Sequence, residues 1–197
     1  MPDANEIKVW DPRVRIFHWL LVITFVSAYV TGEDVHQAHE WMGYTVLGLV
    51  VFRIVWGFVG PANARFSDFV RGPAEVLRNL KDIALMHPKR YLGHSPAGGA
   101  MVVLLLAMLA ATTATGIVAD EPHEQAGPGA TVTPPTGERG AQSKDAQDDE
   151  SPIAEAHEVL ANVTLALVLL HIAGVILASF AHRENLVAAM ITGRKRV

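Results

Sequence analysis

The chain has 197 residues, half of them hydrophobic and only 18% charged, which is too apolar for an ordinary soluble domain of this size. It contains no cysteine, which excludes disulfides, thiolate metal sites and cofactor attachment through a C-x-x-C-H segment. The net charge of −4 hides a segregation of sign along the chain, and nothing in it suggests nucleic-acid binding.

The first 15 residues are polar and end in Asp11, Pro12, Arg13 and Arg15, and no secretory signal pattern is read ahead of the first apolar run. That run, about 16–32, is long enough with its flanks to span a bilayer. His18 lies one turn in, between Phe17 and Trp19, where aromatic rings suit the headgroup boundary. A short acidic link with Glu33, Asp34 and Glu40 carries His36 and His39. The second span is about 41–60. Arg53 sits inside it, 14 residues after His39 and so on nearly the same helix face. Residues 61–96 read as a basic loop. Within it Val76, Leu77, Leu80 and Ile83 recur at helical spacing against Glu75, Arg78, Asn79 and Lys81, which predicts a short amphipathic helix along the membrane surface.

The third span, about 97–119, is rich in Ala, Gly and Thr and holds no histidine. Residues 120–155 are mostly Pro, Gly, Gln, Asp and Glu, cannot bury enough apolar surface to fold, and read as a disordered loop. The fourth span is about 156–181. A short amphipathic piece over 184–192 and the basic run Arg194, Lys195 and Arg196 follow it. The expectation is a single all-α domain over 1–197. It would be an integral membrane four-helix transmembrane bundle with one amphipathic surface helix and a disordered outer loop.

Charge orients the bundle. Four spans put both termini and the 61–96 loop on one side, and that side holds 13 of the 16 Lys and Arg residues. The other side, 33–40 and 120–158, has only Arg139 and Lys144 against 13 acidic residues. The positive-inside rule then places both termini in the cytoplasm, in a multi-pass membrane protein.

This topology sorts the histidines by depth. His157 and His171 are 14 residues apart on one apolar helix, nearly four whole turns, so they share a face with a rise of about 21 Å between them. A histidine deep in such a helix is costly unless something uses it. His39 matches His157 on the outer side, and His18 matches His171 on the inner side. A b-type haem takes two neutral imidazoles from different helices, so the pattern supplies two sites stacked across the membrane. Gly43 and Ala161 lie one turn from the outer histidines and Gly174 lies near His171, small residues that let a porphyrin approach. Arg53 suits a haem propionate, with a snorkelling interfacial anchor as the plainer reading. His36 is taken as a loop residue, and His87, His94, His123 and His182 as solvated. Arg15, Arg65 and Arg71 are taken as ordinary positive-inside charges.

Three stretches, WDPRVRIFHW at 10–19, HEWMGYTVLGLVVFRIVWG at 39–57 and YLGHSPAGG at 91–99, together with the spaced His157 and His171, resemble the bacterial cytochrome b561 family. That family includes the b-type cytochrome subunits of nickel–iron hydrogenases. The resemblance covers nearly the whole chain except the 120–156 loop. It implies four transmembrane helices and two non-covalent b haems, with axial pairs His18/His171 and His39/His157. It also implies electron transfer between quinones and a partner.

The function expected is transmembrane electron transfer through those haems, with Arg53 and Gly43 helping to hold them. The partners would be lipid, a quinone or quinol, and a redox protein such as a periplasmic cytochrome or a hydrogenase, with a homodimer left open. No group is placed for acid–base or covalent catalysis, so the chain counts as an enzyme only if quinone oxidoreduction is included. The alternatives are an anchor subunit of a hydrogenase-like complex, a metal or proton transporter using the same histidines, and a purely structural anchor.

Overall fold

The computed structural model describes residues 6–32, 35–62, 64–85, 91, 93–120 and 151–196. The chain runs β1 (Glu6–Lys8), α1 (Pro12–Thr31), α2 (His36–Val59), α3 (Phe66–Phe69), α4 (Pro73–Ala84), α5 (Pro96–Asp120), α6 (Pro152–His182), α7 (Leu186–Thr192) and β2 (Arg194–Arg196). Local chemistry sets two of the long helix starts. Asp11 accepts from the Arg13 backbone N–H at 2.7 Å and Ser151 from that of Ala154 at 3.2 Å. Each is followed by a proline, whose preset φ and missing N–H suit the first helical position.

Helices α1, α2, α5 and α6 are each long and apolar enough to cross a membrane. Their buried hydroxyls bond back to the carbonyl four residues earlier, as Thr24 does to Leu20 at 2.8 Å and Thr164 to Leu160 at 2.7 Å. That satisfies polar groups where no water reaches. The tight core joins α1, α2 and α5 through Phe17, Val46, Val50, Leu106 and Leu109.

Helix α6 is attached differently. It packs along α5, and only Thr164 on it is buried. The Thr112 and Thr164 hydroxyls meet at 3.2 Å between the two helices. One further tie reaches α1, where the Tyr29 hydroxyl donates to Asn162 Oδ1 at 2.9 Å. Most of the remaining α6 surface is apolar and exposed, including Leu169, Leu170, Ile172 and Ile176.

The end carrying both termini is closed by long-range contacts. β1 and β2 pair antiparallel with Ile7 opposite Lys195, a two-stranded ladder that no sequence pattern announced. Arg15 donates to the Met190 and Ile191 carbonyls at the end of α7, so it holds the last helix rather than serving only as an interfacial charge. α3 wedges between α2 and α5. A Cβ at Gly57 would clash with the Phe66 ring, and one at Gly99 would lie 2.7 Å from the Phe69 carbonyl oxygen. In α4, Asn79 faces the bundle and accepts from the Ala97 N–H at 3.2 Å, while Leu77 and Leu80 stay exposed as expected for a surface helix.

Several boundaries differ from expectation. Asp120 still belongs to α5, and residues 152–155, read as loop, form the first turn of α6 because Ser151 caps it. His36 is helical, the first residue of α2, and not a loop residue. The rest of the expected disordered segment, 121–150, lies outside the described residues, as do His87 and His123.

Candidate functional site

At the end of the bundle away from the termini, His39 on α2 and His157 on α6 face each other. Their ring centroids are 6.0 Å apart and the rings are perpendicular, at 89°. Each ring is oriented by a backbone carbonyl. His39 Nδ1 lies 2.8 Å from the Ala28 carbonyl oxygen on α1, and His157 Nδ1 lies 2.8 Å from that of Thr112 on α5. A carbonyl only accepts, so each Nδ1 carries a hydrogen, and Nε2 is the ring nitrogen left to face another group. This is the arrangement that metal-ligating histidines use to fix tautomer and aim.

Room for His157 comes from Gly116 on α5. A Cβ there would sit 2.8 Å from His157 Cε1 and 3.1 Å from Nδ1. Nothing in the local sequence singles out Gly116, because its role depends on a ring from another helix. Valine at Gly116 is expected to drive the ring off the Thr112 carbonyl, at an overpacking cost of about 1–3 kcal/mol. The check is a thermal melt of the purified variant beside the parent, which should show the variant melting lower.

The second level lies nearer the termini. His18 on α1 is close enough to His171 on α6 to interact with it electrostatically. Its Nδ1 is buried without a hydrogen-bond partner among the described residues, and its ring meets Trp19 edge-on at 5.2 Å. His157, Thr164 and His171 recur every seven residues and so form one stripe of α6, with the buried Thr164 midway between the levels.

Arg53 belongs to this end as well. It is only 2% exposed, and its Nη1 and Nη2 have no hydrogen-bond partner among the described residues. Its guanidinium carbon lies 5.2 Å from the Phe66 ring centroid and 5.8 Å from that of Phe69. Side chains placed at Gly43 or Gly174 would meet nothing within 4 Å, so α2 and α6 are open at these points.

His94 departs from expectation. It is not a solvated loop residue: its ring is held between Phe69, at 4.5 Å, and the edge of Trp10, at 4.7 Å, and its buried Nδ1 has no partner among the described residues. It also lines a cleft of about 160 Å³ with Arg71, Glu75, Arg78, Asn79, Asp82 and Tyr91. Burial, reinforced by the positive charges of Arg53 and Lys195 and by His171, holds the imidazole down at about 3. The sign of the consequence is definite. As pH falls below about 6.5 the unfolded chain protonates His94 and the folded chain does not until about 3, so acid destabilises the fold. The loss should approach about 1.4 kcal/mol per pH unit in that window. Thermal melts in detergent at pH 7.5 and 5 should show it, and His94→Phe should flatten the difference.

A family model described as prokaryotic cytochrome b561 matches residues 9–193. No curated protein and no solved structure matches the chain.

Proposed function

The chain belongs to the prokaryotic cytochrome b561 family, a family of b-type haem membrane electron-transfer proteins, and on that premise we propose that it binds two haems and carries electrons between the quinone pool and a redox partner. The observation that carries the reading is the His39/His157 pair. With their rings 6.0 Å apart and each ring fixed through Nδ1, these two imidazoles would hold one haem iron between them. Haem b, when bound, supplies a one-electron iron couple whose potential depends on axial ligands, burial and nearby charge.

The chain's own residues supply the rest. His39 and His157 would present their Nε2 atoms to the haem, with their other nitrogens tied to the Ala28 and Thr112 carbonyls. His18 and His171 would serve the second haem. Arg53 offers a buried positive charge for a propionate there, and the open backbone at Gly43 and Gly174 leaves room for a flat macrocycle. Two levels on one stripe of α6 make an electron path across the bilayer. The charge asymmetry favours the His18/His171 level on the cytoplasmic side of an inner membrane. A quinone would dock beside one haem, and a cytochrome or hydrogenase-type partner would meet the other.

A transporter would gather three or four ligands at one depth, whereas these four histidines divide between two. The test is haem stoichiometry and the visible spectrum of the detergent-purified chain. Two haems per chain with low-spin b-type bands, reducible by a quinol, are expected. A colourless protein, or one haem, would overturn the di-haem reading.

A further inference from the structure

At the end away from the termini, the first turn of α2 meets the last residue of α5. His36 Nε2 lies 3.0 Å from Asp120 Oδ1, and Glu40 is one helical turn from His36 on the same face. One ligand atom from each of His36, Glu40 and Asp120 lies within 4.8 Å of the others. None of the three takes part in the histidine pairs. His39, three residues on, turns its Nδ1 to the Ala28 carbonyl instead.

We infer that His36, Glu40 and Asp120 form a surface site for a divalent transition-metal cation of the zinc class, bridging α2 to α5. A solvated ion pair between His36 and Asp120 is the plainer account, but it needs one carboxylate. Here two converge on one imidazole, and neither 35–45 nor 110–120 contains a Lys or Arg to balance them. A cation supplies that balance. One imidazole and two carboxylates without a thiolate suit Zn²⁺ at metal–ligand distances of about 2.0–2.2 Å, which a small rotation of these side chains reaches. The His36 side chain is 80% exposed, so water completes the coordination. Bound metal would pin the turn that leads into His39, without touching His39 itself.

The experiment is calorimetric titration of ZnCl₂ into the full, haem-loaded chain in detergent after chelator treatment, with MgCl₂ as the comparison. One saturable Zn²⁺ site that Mg²⁺ at equal concentration does not fill is expected. Losing a ligand should weaken binding at least as much as losing a partner of a ligand, about tenfold or more in both His36→Ala and Asp120→Asn. Both variants should keep the parent's haem spectrum, which shows that they fold. No saturable binding, equal binding of Mg²⁺, or Zn²⁺ affinity unchanged in both variants would overturn the site. The last outcome would place the metal on other residues.

Discussion

Alanine at His157 is expected to cut the haem content from two per chain to one, and alanine at His171 to do the same at the other level. The physical reason is that, in the proposed arrangement, each iron would take its two imidazoles from different helices. The helix that loses its imidazole leaves a single ligand, which does not hold a low-spin iron. At the first level the surviving His39 stays aimed by the Ala28 carbonyl, so the second level should be undisturbed. Thr164 and its 3.2 Å contact to Thr112 lie between the levels and keep α6 seated on α5 in either variant. Haem assay and redox titration of the two variants should therefore show one component each, with different midpoints, that together account for the parent's two. If either variant kept both haems, that histidine would not be an axial ligand. Loss of both from a protein whose helical circular dichroism is intact would mean that the levels are not independent.

The spans were legible because hydropathy over about twenty residues is a summed signal that little else produces. The helix ends were less so, because a single capping bond decides them. Ser151 starts α6 in a stretch whose composition reads as loop, and α2 begins at His36 behind Val35, which makes no side-chain cap bond. The matched depths of His39 and His157 could be read from fourfold topology and helical rise, and the 6.0 Å approach of their rings agrees with that reading. The parts not legible are contacts between residues far apart in sequence. Gly57 and Gly99 gain meaning only when Phe66 and Phe69 press on them. His94 has polar and small neighbours, Gly93 and Ser95, and is enclosed only because Trp10 and Phe69 arrive from elsewhere. The ladder of β1 and β2 forms because an even number of spans brings the termini together, not because its three-residue strands alternate.

Arg53→Leu should change sign with the state of the protein. The guanidinium is 2% exposed, with no hydrogen-bond partner at Nη1 or Nη2 among the described residues, so without a bound anion it would carry a desolvation cost of several kcal/mol. Leucine fills similar volume between Phe66 and Phe69 without that cost, and the haem-free variant should melt higher than the haem-free parent. In the loaded chain the same change removes the group proposed to pair with a propionate. Haem at the His18/His171 level should then bind about 10–100-fold more weakly, or about 1.4–2.7 kcal/mol, while the His39/His157 level is unaffected. Arg53→Lys keeps the charge but loses the planar two-pronged donor, so it should fall between parent and leucine in haem affinity. An anchoring role at the interface makes the opposite forecast, since a head group that reaches water carries little desolvation cost and touches no cofactor. Leucine would then leave haem affinity unchanged and would not raise the melting temperature of the empty protein. Melting curves and haem titrations of parent and variant, each with and without haem, separate the two accounts.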